Sequence, residues 1–382
     1  MIALGRELAA RGHAVTLQTW RRWQTDVERE GMTFAAAPEY HVFPTRERPL
    51  TPYQAVERAT RETAELVRSV APAVVMSDIL TLAPALAGEI EGVPVGTVIP
   101  HLDPRMPPGS APYSCGARLP RTRAGRALWR GADPLLRHGL ELGRSQLNET
   151  RRRLGLPALE RVHGGISETL TLVATFPQLE YPRAWPRGTH VVGPLMWEPP
   201  AADAAPPPGD DPLVLIAPST SQDPGQTLLR AALDGLADLP VRVLASANKR
   251  IPDDLRVAAN ARLVDWVSYS RAMAACDLVV CHGGHGTVAR ALSNGCAVVI
   301  VPAAGDMNEN AARVDWAGVG VRLPGRLVGA RGVRLAVGRA LARPQLRDGA
   351  RTLQAWSARH AGPARAADLV ERFAATSGSC GR

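Results

Sequence analysis

The chain has little lysine, few aromatic rings and no long apolar run, and each shortage excludes something. Lys249 is the only lysine among 382 residues, so the formal net charge of +9 is carried by arginine. The arginines are scattered, apart from short groups such as Arg151–Arg153. No basic patch with interleaved aromatics occurs, so nucleic-acid binding is not expected. A basic surface suits an anionic nucleotide donor or an acidic lipid instead. Aromatics make up only 4% of the chain, so its cores must be built mainly from Ala, Val and Leu. No stretch approaches the roughly 18 apolar residues of a membrane span, though peripheral contact with a membrane is compatible with the charge. Arg6, Glu7 and Arg11 interrupt the first residues, which do not read as a signal peptide. The five cysteines (Cys115, Cys276, Cys281, Cys296 and Cys380) have no CxxC spacing. That excludes a disulfide framework and fits a cytoplasmic protein.

What is present is an alternation of helices with short β-rich strands, which predicts an α/β fold with parallel sheets. Helices are expected at 2–11, 55–70 and 82–91, with long helical segments over 125–154. Strands are expected at 14–19, 73–76, 95–99, 171–175 and 190–192. Trp197–Pro212 is dense in proline and lacks apolar periodicity, so it reads as a linker. A second α/β series follows, with strands at 213–217, 241–245, 262–264, 278–281 and 297–301. The predicted division is 1–196, a linker at 197–210, a second domain at 211–355, and a C-terminal helix at 356–375 crossing back to the first. Two Rossmann-like domains facing across a cleft would bind ligands beyond the carboxyl ends of their strands.

The most informative segment is Leu278-Val-Val-Cys-His-Gly-Gly-His-Gly-Thr287. A buried strand ends at Cys281, a glycine-rich turn follows, and a helix opens near Thr287. Gly283, Gly284 and Gly286 let backbone amides approach an anion, and the helix start adds partial positive charge. His282 can donate a ring hydrogen bond, and Thr287 adds a hydroxyl. The segment reads as a diphosphate cradle, without the lysine of a P-loop or the GxGxxG spacing. Cys281, His282 and His285 fit no usual zinc pattern, so no metal is expected.

With its flanks, this segment resembles the donor-binding signature of glycosyltransferase family 1, the nucleotide-sugar-dependent enzymes of the GT-B fold. The matching pieces are Trp266, His282–Thr287, Ala291–Gly295, Val298–Pro302 and Asp306-Met-Asn-Glu-Asn-Ala-Ala-Arg-Val314. The resemblance implies that Trp266 stacks on the nucleobase and that the Val267 backbone pairs with its edge. His282, Gly286 and Thr287 would bind the diphosphate, and Asp306 the sugar hydroxyls, with Met307 and Asn310 in the same block. Ser219, Thr220 and Ser221 match a loop whose hydroxyls approach the phosphates. On the residues alone, Trp266 could equally be core, Asp306 a helix N-cap for 308–317, and the serines an ST-turn. Two positions depart from the family. Met307 stands where a glutamine is common, and Arg290 where a ribose-binding glutamate is common.

The resemblance further implies inverting transfer from a UDP- or dTDP-sugar to a small, largely apolar acceptor. No cofactor is implied beyond that co-substrate, and the protein would act as a monomer or homodimer. Such transfer needs a base, which in the family is a histidine in a Gly-His-x-x-Pro loop after the first strand. Asp78 matches the aspartate that orients this base, with a strand-end cap as its other reading. Met1-Ile-Ala-Leu matches the family's first helix, so the first strand and its histidine loop are expected upstream, and a central slot of the first sheet is expected to be open. The acceptor pocket is expected within 101–129, around Tyr113; His101 follows Pro100 at a strand end and reads as a surface residue, with a polar pocket group as its other reading. A nucleotide-sugar epimerase and a non-catalytic binding protein are the alternative readings.

Overall fold

Short runs that are apolar at every position form strands covered on both faces. Leu213–Ala217, Leu278–Cys281 and Ala297–Ile300 are such runs, and every residue in them is buried. They form the middle of the larger sheet in the computed structural model. The structure describes residues 1–38, 54–220, 223, 225–248, 251, 253–303 and 305–379. Ser221 of the hydroxyl loop lies outside the described residues.

The first half comprises α1 (Ile2–Ala10), β1 (Thr16–Thr19), α2 (Gln24–Arg29), β2 (Thr33–Ala36), α3 (Gln54–Val70) and β3 (Val75–Asp78). It continues with α4 (Ala83–Ile90), β4 (Val95–Ile99), α5 (Arg123–Gly131), α6 (Asp133–Arg153), β5 (Thr171–Val173) and β6 (Thr189–Val191). The second half comprises β7 (Leu213–Ala217), α7 (Thr227–Leu236), β8 (Arg242–Ser246), β9 (Ala261–Val264), α8 (Tyr269–Ala274), β10 (Leu278–Cys281) and α9 (His285–Ser293). After these come β11 (Ala297–Ile300), α10 (Asp306–Ala317), β12 (Gly320–Arg322), α11 (Ala330–Leu341), α12 (Pro344–Arg359) and α13 (Gly362–Ser379).

The six strands of the second half are all parallel, in the order β12-β11-β10-β7-β8-β9. From β7 the chain winds outward through β8 and β9. From β10 it winds outward the other way. The β7/β10 pair is therefore the switch point, where doubly wound sheets leave a crevice for ligands. The first half holds a parallel four-stranded sheet, β3-β4-β5-β6, and a separate parallel pair, β1-β2. β1 and β3 do not pair. A cavity of about 510 Å³ lies between them, lined by Leu17 and Met76 from the two strands and by Leu4, Leu8 and Val67 from α1 and α3.

The halves share a core: Leu102, Phe176 and Leu179 of the first are buried among side chains of the second. The chain end returns to the first half, where Ala366, Ala367 and Val370 of α13 pack with Leu4, Val98 and Leu172. Residues 197–210 form neither helix nor strand. They are tied to both sides, through Trp197 Nε1 donating to Glu30 (2.8 Å) and through Arg262 and Arg271 donating to the Ala205 and Ala201 carbonyls.

Several boundaries differ from the sequence reading. The expected helical stretch at 125–154 divides at Ala132, because Pro134 at the start of α6 lacks an N–H for a continuing helix. The segment expected as a helix at 356–375 spans the end of α12 and most of α13, and Gly362 and Pro363 open the latter. β2 and β12 were not foreseen, since TFAA and GVR carry no alternation strong enough to mark a strand.

Candidate active site

Four strand ends of the second sheet deliver the sequence-predicted residues to one edge. His282 follows β10 directly, and its Nδ1 donates across the switch point to the Ala217 carbonyl at the end of β7, at 3.3 Å. Since a carbonyl only accepts, that proton sits on Nδ1. Nε2 is left without a partner among the described residues. Burial lowers the His282 pKa below its ordinary value, opposed by the Ala217 carbonyl and by Asp306. Two glycines are required here. Gly283 has φ +90°, and a Cβ on it would lie 2.6 Å from Ile300 Cγ2. A Cβ on Gly284 would lie 2.4 Å from His282 Nε2, so any side chain there displaces the ring. Asn310 Nδ2 donates to the Gly283 carbonyl at 2.8 Å and pins the turn from α10.

α9 opens at His285 rather than near Thr287. Gly286 and Thr287 therefore belong to its first helical turn, not to the glycine turn. That turn carries donors with no intrahelical partner. A Cβ on Gly286 would meet nothing within 4 Å, so the approach to these amides is open. Asp306 is the first residue of α10, and Gly305 is its N-cap, which corrects the N-cap reading of Asp306. Its position nonetheless favours a carboxylate, beside the positive end of the helix. Met307 packs against Gly283, its carbonyl 3.3 Å from where a Cβ there would be.

Beyond β7, Ser219 is buried and Thr220 exposed. Beyond β9, Trp266 is 43% exposed while Val267 is buried. Trp266 is thus a ring on the rim, not part of the core. Arg290 is committed elsewhere: its guanidinium donates to the Trp197 carbonyl at 2.8 Å, tethering the linker to α9.

The first half contributes His101 and Tyr113. His101 follows β4 and is half-buried, which corrects its reading as a surface histidine. Its Nδ1 donates to the Leu102 carbonyl at 2.7 Å, and the Tyr113 hydroxyl lies 3.2 Å from the same nitrogen. Burial, with Asp306 and Glu309 adding to it, raises the Tyr113 pKa, so the phenol stays neutral and faces α10. Asp78 is the last residue of β3. Its Oδ1 accepts from the Leu80 amide at 2.8 Å, a strand-end cap. Among the described residues, no hydrogen bond joins it to the residues gathered at the second sheet.

Sequence reasoning missed two features. His285 is buried, with Nδ1 3.2 Å from Asn310 Oδ1 and Nε2 3.3 Å from the Ala174 carbonyl of the first half. Burial lowers its pKa to about 4. The neutral ring donates to one of these acceptors at a time. The second feature is a buried ionic cluster at the same junction. Arg313 donates to Glu309 (2.7 Å) and to Glu180 (3.1 Å), and its guanidinium lies 3.6 Å from the Tyr181 ring centroid. Glu180 also accepts from the Asp103 amide and from Arg183. Only an arginine–glutamate pair four apart on α10 hinted at it. The partner from the first half is far away in sequence.

A doubly wound second half, with a histidine and glycine turn at its switch point, facing another parallel sheet, is the GT-B architecture. Residues 230–373 match the family described as erythromycin biosynthesis protein CIII-like, C-terminal domain. The chain is 30% identical to a PGL/p-HBAD biosynthesis glycosyltransferase of Mycobacterium tuberculosis, over 76% of this chain and 68% of that one. It is 28% identical to 4'-demethylrebeccamycin synthase of Lentzea aerocolonigenes, over 97% and 95%. Its fold is similar to that of the calicheamicin glycosyltransferase CalG4 (TM-score 0.75, 22% identity, covering 97% and 94%). It is also similar to that of glycosyltransferase VinC, solved with dTDP (TM-score 0.70, 21% identity, covering 98% and 96%). The chain belongs to glycosyltransferase family 1, in its natural-product branch.

Proposed function

We propose that the enzyme moves a hexose-type sugar from a UDP- or dTDP-sugar to a hydroxyl of a small, largely apolar acceptor, with inversion and without a metal. Residues 211–355 would bind the donor and residues 1–196 the acceptor, joined by 197–210. The observation that carries this reading is the open Nε2 of His282 beside the first-turn amides of α9, at the switch point of the sheet. The dTDP bound to VinC favours the same class of donor.

In the proposed step, the acceptor oxygen attacks the anomeric carbon, the bond from that carbon to the β-phosphate oxygen breaks, and a base takes the acceptor proton. The growing charge on the diphosphate would be met by His282, the amides of α9 and the hydroxyls of Ser219, Thr220 and Thr287. Asp306 would hold the sugar hydroxyls, and Met307 beside it would offer surface rather than a hydrogen bond. Trp266 would stack on the base, with Val267 at its edge. Asp78 keeps Oδ2 without a partner among the described residues, available to orient a base.

The test is a pH series of nucleotide-sugar affinity. With Nδ1–H held by Ala217, the neutral ring turns a lone pair towards the phosphate, whereas the protonated ring donates to it. Binding therefore raises the His282 pKa from its lowered free-state value. Affinity should be highest below the free-state pKa and fall as pH rises through the higher pKa of the complex. A nucleotide sugar has no phosphate proton titrating in this range, so the slope belongs to the protein. His282→Ala should lose the slope and weaken binding by about 1.5–3 kcal/mol. Unchanged affinity of His282→Ala would remove the assignment.

Trp266→Ala should weaken donor binding by about 1–3 kcal/mol, with little change in melting temperature because the ring is exposed. Calorimetric titration measures the first and a thermal melt the second. A lower melting temperature with unaltered affinity would make Trp266 a structural residue.

A further inference from the structure

The feature that sugar transfer leaves unused is the arm formed by α5 and the first half of α6. No residue of α5 is buried, and the buried residues of α6 (Leu147, Thr150 and Arg151) all lie in its second half. The arm nevertheless displays large apolar side chains. Leu128 is 76% exposed, Leu135 75% and Leu142 53%. The arm is open at its glycines: a Cβ added at Gly131, Gly139 or Gly143 would meet no atom within 4 Å. α5 is nevertheless a well-formed helix, its start capped by Thr122 Oγ1 accepting from the Gly125 amide at 3.1 Å. Solvating this many leucines is unfavourable unless something covers them.

Charge identifies the cover. Residues 121–144 hold six arginines (121, 123, 126, 130, 137 and 144) against Asp133 and Glu141, a surplus of four positive charges. Among the described residues, Arg123, Arg130 and Arg137 form no ion pair, unlike Arg151–Arg153 further along α6, all of which bond to glutamates. At about 100° per residue, Arg123, Arg126 and Arg130 fall within roughly a 60° arc of α5, with Leu128 nearly opposite. Leu135 and Leu142, two turns apart, share one stripe of α6. Arginine along one face and exposed leucine along the other is the pattern of helices that lie in a membrane interface.

We propose that this arm docks on the surface of an anionic lipid bilayer, its leucines among the acyl chains and its arginines at the headgroup phosphates. Nucleic acid would use the arginines but leave the leucines in water. A second copy of the chain would bring like charges together. The arm follows the loop that carries His101 and Tyr113. On the sugar-transfer reading, docking would therefore hold the acceptor side of the cleft near a phase where apolar acceptors concentrate. The docking itself does not depend on that reading.

The experiment is flotation of the full chain with phosphatidylcholine vesicles, with and without phosphatidylglycerol. The chain should float with the anionic vesicles only and be released by high salt. Arg123→Gln/Arg126→Gln/Arg130→Gln should weaken partitioning on the order of 100-fold. Leu128→Ser/Leu135→Ser should weaken it about tenfold or more. Both variants should keep the melting temperature and nucleotide affinity of the parent, since the substituted side chains are exposed. Three results would overturn the proposal: no flotation with anionic vesicles, equal flotation of parent and variants, or duplex DNA binding in place of vesicle binding. A fourth is a concentration-dependent dimer that disappears in the leucine variant, which would give the face to a second copy.

Discussion

Replacing Arg313 by alanine is expected to lower the unfolding free energy by about 3–5 kcal/mol, the usual cost of removing one partner from a buried ion pair. The side chain is fully buried. It joins Glu309 of its own helix to Glu180 of the first half, while Asp103, Arg105 and Arg183 extend the cluster. Three guanidinium groups thus face three carboxylates. Removing Arg313 strands Glu309, which cannot reach water, and leaves Glu180 with only Arg183 and the Asp103 amide. Glu309 is already strained in this sense, because burial raises its pKa and its Oε2 has no hydrogen-bond partner. Arg313→Lys should recover only part of the loss, because one ammonium cannot bond to both carboxylates and also lie flat on Tyr181. Denaturant unfolding of the three proteins measures this. A loss below about 1 kcal/mol for the alanine variant would mean that the cluster behaves like a surface pair.

The same cluster illustrates what could and could not be read from the chain. The central strands of the second half were legible because LVLIA, LVVC and AVVI are apolar at every position, as strands covered on both faces must be. The glycine turn was legible for a related reason. Gly283 needs a positive φ, and Gly284 leaves room for a ring only 2.4 Å from where its Cβ would be. Local backbone needs of this kind leave a trace in sequence. The first half was harder. Its strands are three to five residues long and carry Thr, Ser, Gln and Asp, so neither alternation nor continuous apolarity fixes their ends. Asp78 reads as the residue after a strand and proves to be its last. His285 and Glu180 were illegible because their partners lie more than a hundred residues away, at Ala174 and Arg313 respectively. Nothing local distinguishes a histidine that bridges two halves from one that fills a turn. His101 was misplaced for the same reason. A histidine after Pro100 at a strand end reads as a surface residue, but Tyr113 packs against it and it is half-buried.

That packing leads to the prediction with the largest effect on the reaction. His101→Ala is expected to reduce kcat by about 10²–10⁴-fold, the usual contribution of a general base, while leaving nucleotide affinity unchanged. The ring is set up for the role. Its Nδ1–H is committed to the Leu102 carbonyl at 2.7 Å, and the Tyr113 hydroxyl also reaches that carbonyl at 3.4 Å. This fixes the tautomer that leaves Nε2 as a lone pair, the form that accepts a proton. The residue stands just beyond the carboxyl end of β4, in a sheet whose strand ends face the second half. Among the other described histidines of the first half, His13 is bonded to Glu371, His138 lies within α6, His163 lies between α6 and β5, and His190 lies within β6. None of them follows β4. His101→Gln keeps a polar side chain of similar reach but cannot take the proton, so it should not restore turnover. Tyr113→Phe removes only the hydroxyl beside the ring, and its loss should be smaller than that of either substitution at His101. Steady-state assays of the three variants across a donor and acceptor panel, with calorimetric nucleotide titrations alongside, separate binding from chemistry. If His101→Ala turns over like the parent, the acceptor proton goes to another residue, and His101 serves only to hold Tyr113 against α10.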